Sequence, residues 1–354
     1  MRYYIILLFC FIGIFEIYAQ DPVSDRKLGF VFDVENLSFF DNREVRTPYQ
    51  RSQTLFGSRL GADIGVRLGE NKLIAGVQLI KDFGTDKIFK NEFTFYYRYD
   101  NGRFSGTFGS FPRKMLQREL PDIFVYDSLR YNSPTLQGAL IQYRSAHGYA
   151  EAYCNWINKQ GVDEREIFEI VTDGRFGHKG LYVGWNAQLL HFSVPRPANG
   201  LKVYDKVMVN PHLGFERRNV ACFDLIGAEV GIMLSLNRDR NDMVWKTPMG
   251  FLCDVRLRKW RIELRDRLYT GNPQFSDYEL YGPQLHRGDP YYRSSLYNRT
   301  DVSLYLLDMD WVRCYINASF HYTERRVDYS QQVILNLNAD LEVFNRIFSR
   351  KNKQ

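Results

Sequence analysis

The sequence predicts an all-β fold, a transmembrane up-and-down antiparallel barrel of about sixteen strands. Three observations predict it. Beyond residue 19, no apolar run of the 354-residue chain approaches the ~18–20 residues of a spanning helix, whereas a barrel strand needs only ~9–11. Apolar and polar side chains alternate with a period of two along most of the chain, as strands with one wet and one dry face do. The connections alternate as well, short after one strand and long after the next, which a sandwich with Greek-key crossings has no reason to do.

The amino terminus has a different character. Arg2 precedes an almost unbroken apolar run from Tyr3 to Ile14, and Ala19 offers a small residue before Gln20-Asp21. Residues 1–19 are therefore expected to be a cleaved signal peptide rather than a membrane anchor, for which the run is short. The barrel is expected over residues 20–344, and residues 345–354 form a basic tail.

The first strand starts at Leu28. Leu60, Ala62, Ile64, Val66 and Leu68 alternate with Gly61, Asp63, Gly65 and Arg67, and after Gly69-Glu70-Asn71 the pattern resumes from Leu73, a hairpin. Phe93 to Tyr99 turns through Asp100-Asn101-Gly102 into Arg103 to Phe111. The same construction recurs from Ala139 to Trp156, in Leu181 to Leu189, Ala228 to Leu236, Phe251 to Leu257, Val312 to Phe320 and Val333 to Val343. Arg165 to Thr172 and Lys206 to Glu216 alternate poorly, and Pro211 interrupts the second; as loops they would lower the count to fourteen. Asp266 falls on the apolar parity, which calls for a bulge or a slip to turn it inward. Trp156, Trp245, Trp260, Tyr269 and Trp311 fall near strand ends, where interfacial girdles belong.

Composition excludes several classes. Forty-seven basic against 41 acidic residues leave a net charge of +6, spread too evenly for a nucleic-acid footprint. The six histidines show no metal-ligand spacing and no phosphate loop appears, so neither cofactor nor metal is expected. Cys154, Cys253 and Cys314 take apolar-face positions and read as small hydrophobes.

The alternating strands, the long third loop, and the segment Phe108-Gly109-Ser110-Phe111-Pro112-Arg113-Lys114 followed by Ser133-Pro134-Thr135-Leu136-Gln137-Gly138 resemble porin-type barrels, especially those of Bacteroidota. The resemblance implies an outer-membrane channel for passive diffusion of small hydrophilic solutes, surrounded by outer-membrane lipid and inserted by the barrel-assembly machinery. Such barrels often end in an aromatic residue, whereas this chain runs past Phe344 and Phe348 to a basic end. The oligomeric state stays open.

The candidate pore lining is Arg67, Arg98, Arg256, Arg258, Arg261, Arg265, Arg267 and Arg313, with Glu151 and Glu229 on the same parity. Clustered guanidinium groups favour anions, but cross-strand ion pairs that brace the wall are weighted above selectivity. The loop from Pro112 to Thr135, with Arg113, Lys114, Arg118 and Tyr126, is the candidate constriction. Covalent chemistry is not expected. Its remote alternative is His191-Phe192-Ser193, because residues two apart share a strand face and outer-membrane phospholipases pair a His and a Ser in this way. Asn210 would be the third member of that site, although the flanking residues depart from the phospholipase motif. A further alternative is a non-conducting scaffold for a periplasmic or surface complex.

Overall fold

A computed structural model describes residues 28–343 apart from 87–88, 199, 241–243, 325 and 342. The expected signal peptide and the tail from residue 345, with Phe348, lie outside the described residues.

Period-two patterning closes into one antiparallel barrel. Its strands are β1 (Leu28–Glu44), β2 (Gln53–Leu68), β3 (Asn71–Asp82), β4 (Lys90–Asp100), β5 (Phe104–Pro112), β6 (Thr135–Ser145), β7 (Gly148–Asn158), β8 (Ile167–His178), β9 (Leu181–Phe192), β10 (Tyr204–Val220) and β11 (Phe223–Asp239). A two-residue strand, β12 (Trp245–Lys246), edges the next loop, and β13 (Met249–Lys259), β14 (Ile262–Gly271), β15 (Leu296–Asp308), β16 (Val312–Thr323) and β17 (Val327–Asp340) complete the wall. Sixteen long strands therefore pair neighbour to neighbour, and β1 closes on β17 from Asp33↔Asp340 to Glu44↔Tyr329. Among the described residues, each of the sixteen long strands is paired on both sides, which leaves none of them as an open sheet edge.

Seven links, at the end where the chain enters and leaves, are two or three residues long. Lys179-Gly180 shows how they close: both residues take positive φ, +53° and +94°, the twist a two-residue hairpin requires, and glycine adopts it at no steric cost. The links at the opposite end run long, up to 113–134 and 272–295, except the three residues 324–326 before β17. By loop length the long side is extracellular.

The outer wall is apolar where lipid would lie. Phe93 and Phe108 are each 71% exposed, and Ile64, Phe95, Val183 and Phe251 are exposed beside them. Both poorly alternating segments fall in strands, the first in β8 from Ile167 and the second in β10. Pro211 sits on the outer face of β10, where the ladder to β11 skips Asn210 and Pro211 and resumes at His212↔Gly231 without a change of register. The proline costs two ladder positions on one side rather than the strand.

Asp266 faces outward with no bulge. It accepts hydrogen bonds from Asn298 Nδ2 (2.9 Å) and Thr300 Oγ1 (2.6 Å), so neighbouring polar side chains satisfy it in place of a slip. Tyr269 departs from the girdle reading as well: it points into the lumen, 1% exposed, with its hydroxyl on Asn272 and Gln274. Trp156, Trp245 and Trp260 are exposed at the rims.

The core lies inside the barrel. The third long loop, L3 (113–134), turns inward and buries Leu120, Ile123, Phe124 and Val125 against Phe111, Leu136, Tyr153, Val171, Met208 and Tyr292. A short helix, α1 (Asp127–Asn132), ends it and stacks Tyr131 on Phe39 of β1 at 4.3 Å. The seventh, L7 (272–295), roofs it with α2 (Tyr278–Leu285), kinked at Gly282 before Pro283, and a turn of 3-10 helix, Pro290–Arg293. Tyr126 N–H donates to Arg287 O and Asp289 N–H to Asp122 O, which lock the two loops together.

Candidate functional site

Two arrangements of polar groups stand out, one inside the barrel and one on its outer rim.

Inside, L3 is a crossbar whose two halves carry opposite charge. Its basic half meets the acids of one wall. Lys114 pairs with Asp33 and Glu35 of β1, Arg118 Nη1 lies 3.0 Å from Glu229 of β11, and the Gln117 N–H donates to Glu151 of β7. Its acidic half meets the arginines of the other wall. Asp122 pairs with Arg267 of β14 and with Arg299 of β15 (3.3 Å), Asp127 with Arg299 (3.2 Å), and Arg130 of α1 bridges both acids at 3.0 and 2.7 Å. Burial alone would raise the Asp122 carboxyl, but Arg267, Arg299 and Arg130 beside it hold it well below the usual carboxylate range. Asp127 is held low in the same way by Arg299 and Arg130.

The predicted lining falls into three groups. Arg98, Arg256, Arg258, Arg265 and Arg267 face inward and are paired, Arg98 with Asp100, Arg256 with Glu263, Arg258 with Asp308, Arg265 with Asp254, and Arg267 with Asp122 and Asp301. Glu151 and Glu229 face inward as acceptors for L3. Arg67 and Arg313 lie at the periplasmic rim, Arg313 on Asp308, and Arg261 sits in the Trp260-Arg261 turn rather than on the wall. Of the predicted constriction, Arg113 is half-buried with Nε donating to Ser133 O, and Tyr126 is half-buried under L7. Sequence reasoning missed Asp122, Asp127, Arg130 and Arg299. Asp127 and Arg130 at i,i+3, Asp122 eight residues before Arg130 and Asp301 two after Arg299 are local pairs, whereas the pairs that fasten L3 to the β14–β15 wall join residues more than a hundred positions apart.

On the outer rim, register aligns one residue from each of six strands. Trp156 of β7 faces Phe168 of β8, Phe168 faces His191 of β9, His191 faces Asp205 of β10, Asp205 faces Arg238 of β11, and Arg238 faces Trp245 of β12. All take the outward parity at the extracellular end. The Trp156 and Phe168 rings stack at 5.1 Å, His191 lies 4.9 Å from Phe168, and the Arg238 guanidinium lies over Trp245 at 4.6 Å.

At the middle of the row, His191 Nδ1 lies 2.9 Å from Asp205 Oδ1. Arg240 holds the same carboxylate through Nε (2.6 Å) and Nη2 (3.0 Å), with Arg238 Nη2 at 3.6 Å. Asp205 thereby fixes the orientation of the imidazole and leaves Nε2 free to exchange a proton. Ser193 follows directly after β9, two residues beyond His191. Its N–H donates to Glu166 O (2.8 Å) and its carbonyl accepts from Arg165 Nη1 (2.9 Å), whose guanidinium rests on the Phe192 ring.

Asn210 does not join this group. It is buried on the lumen face of β10, opposite Asn186, because its even number puts it on the wrong side of a period-two strand. The acid partner that sequence reasoning missed is Asp205, hidden because Lys206 to Glu216 alternates poorly and its register on β9 was not legible.

The fold is similar to that of OprD from Pseudomonas aeruginosa (9% identity, 88% of this chain and 95% of that one, TM-score 0.54). It is equally similar to the outer membrane protein OpdK from Pseudomonas aeruginosa (9%, 88% and 99%, 0.53) and OccAB1 from Acinetobacter baumannii (10%, 91% and 100%, 0.54). At such identities the likeness shows the fold alone, an outer-membrane type of barrel. No curated protein matches the sequence. A family model described as lipid A 3'-O-deacylase-type matches residues 21–346. That description names an enzyme, so it overturns the expectation of a barrel without covalent chemistry. The porin resemblance thus holds for architecture, and by sequence the chain belongs to the lipid A 3'-O-deacylase-type family.

Proposed function

We propose that this barrel is an outer-membrane acyl-ester hydrolase that attacks an O-acylated glycolipid of the lipid A type from its lipid-facing rim. The observation that carries the reading is the His191–Asp205 pair on the outward parity at the extracellular end, with Ser193 two residues beyond it. A water-filled lumen is not needed for such chemistry. The bilayer brings the ester to the wall.

In this reading Ser193 Oγ adds to the ester carbonyl carbon while its proton passes to His191 Nε2. Collapse of the tetrahedral intermediate expels the sugar hydroxyl, which takes that proton back. A water molecule, deprotonated by His191, then cleaves the acyl-serine and releases the fatty acid. Asp205 keeps the imidazole in the tautomer that can accept at Nε2, and Arg238 and Arg240 supply positive charge at headgroup level. Export through removal of residues 1–19 belongs to the same proposal. The test is fatty-acid release from purified lipid A by the refolded chain in mixed micelles: Ser193→Ala should abolish it, and full activity in that variant would refute the assignment.

A second reading, passage of small hydrophilic solutes with a weak anion preference, is supported by one observation. A polar vestibule of about 570 Å³ opens at the periplasmic end, lined by Arg144, His147, Arg175 and Lys179 beneath Gln117 of L3. Passage would require L3 to leave its place above that vestibule.

A further inference from the structure

A buried cation occupies the upper lumen, on the inner face of the wall whose outer face carries the Asp205–Arg238 pair. Lys206 of β10 is 1% exposed, and no carboxylate of the described residues lies within ion-pair distance of it. Its Nζ donates toward His286 Nδ1 at 3.3 Å and sits over the Phe275 ring at 4.3 Å. Asn237 is its register partner on β11, fully buried, and neither Oδ1 nor Nδ2 of that amide has a hydrogen-bond partner.

An amide with both ends unsatisfied and an ammonium without an acid are each costly to bury, and here they sit side by side. After the contact to His286, Lys206 keeps two N–H donors, and Asn237 adds an N–H₂ group. Above them L7 lays aromatic rings, with Phe275 and Tyr278 packed on His286 at 5.2 and 5.5 Å. Convergent donors, a positive charge without an acid partner and an aromatic cover suit one kind of guest. We propose that Lys206 and Asn237 hold a small monovalent anion, a halide or a carboxylate of one or two carbons, beneath L7. The anion neutralises Lys206 and ties the β10–β11 wall to the roof. Its residues point to the lumen and do not include any of the rim residues, although they neighbour Asp205 and Arg238 in the chain.

The experiment uses the refolded full chain in detergent micelles at fixed ionic strength, with bromide, acetate and bulky gluconate exchanged for one another while the unfolding temperature is followed. The expected result is a saturable rise of roughly 2–4 °C with bromide or acetate but not gluconate. It is lost in Lys206→Met, and in Asn237→Leu the half-saturating concentration rises at least about tenfold. Response to bromide alone assigns a halide, and response to acetate assigns a carboxylate. Asn237→Leu keeps the ammonium and decides the matter if Lys206→Met does not fold. Equal, non-saturating slopes in the unaltered chain and in Asn237→Leu overturn the proposal.

Discussion

Asp205 and His191 face each other across the β9–β10 ladder with Oδ1 and Nδ1 2.9 Å apart, and Arg240 clamps the same carboxylate from the far side. An imidazole oriented this firmly at Nδ1 has its other nitrogen, Nε2, left over for the proton transfer proposed above. Asp205→Asn should keep the fold but offer the imidazole a donor in place of an acceptor, disfavouring the productive tautomer. The expected loss is ~10²–10⁴-fold in kcat for acyl release, with KM little changed. His191→Gln should lose at least as much. Initial rates on lipid A in mixed micelles check both, and a KM effect without a kcat effect would mean that the pair binds headgroup rather than moving a proton.

The L3 crossbar makes a second prediction, because Asp122 satisfies arginines from two strands at once. Asp122→Asn leaves Arg267 and Arg299 buried with less counter-charge, and removal of one member of such a network costs ~3–5 kcal/mol. The double variant Asp122→Asn, Asp127→Asn should release the acidic half of L3 from the β14–β15 wall. Planar-bilayer recordings should then show larger or more frequent conducting steps than those of the unaltered chain. Unchanged conductance in a folded double variant would show that the crossbar is held by its apolar residues instead.

The architecture was legible because each strand writes its two faces into neighbouring residues. Leu60 to Leu68 needs no tertiary information to be read. Lys206 to Glu216 misled because Met208 faces a lumen filled with apolar side chains, so both of its faces carry apolar residues and the alternation blurs. The rim site was half legible. His191 and Ser193 are local, whereas Asp205 and Arg238 join them only through register. Asp266 was placed on the correct face, and what could not be foreseen was that Asn298 and Thr300, some thirty residues away in sequence, would satisfy it there.

Two L7 groups predict the acid side of the stability profile. Burial, with the Lys206 ammonium nearby, pushes the His286 imidazole down to about 2, so it stays neutral in the fold while the unfolded chain takes up a proton near its ordinary 6.5. The stability this contributes is present above pH 6.5 and is lost progressively as pH falls toward 2. Asp289 opposes it. Burial pushes its carboxyl up to about 6, so its contribution is fully present below the ordinary 3.8 and is lost as pH rises through 6. Unfolding temperatures from pH 4 to 8 should therefore fall less steeply on the acid side in His286→Gln and more steeply in Asp289→Asn. Identical profiles in all three proteins would place both groups in water.

Asp266 gives a prediction on the outer wall. A lone carboxylate on the lipid face would be strongly destabilising, and here two hydrogen-bonding side chains from β15 offset that cost. Replacing the acid with an apolar residue removes both the expense and its remedy. Asp266→Leu should therefore be neutral or stabilising, although Asn298 and Thr300 are left behind. Asn298→Leu removes the donor and keeps the acid, which should cost ~1–3 kcal/mol because the carboxylate is left under-satisfied against lipid. The pair Asp266→Leu, Asn298→Leu should recover most of that loss, as coupled neighbours do. Guanidinium unfolding from lipid vesicles measures all three. If Asn298→Leu costs nothing in the presence of Asp266, Thr300 alone satisfies the carboxyl group.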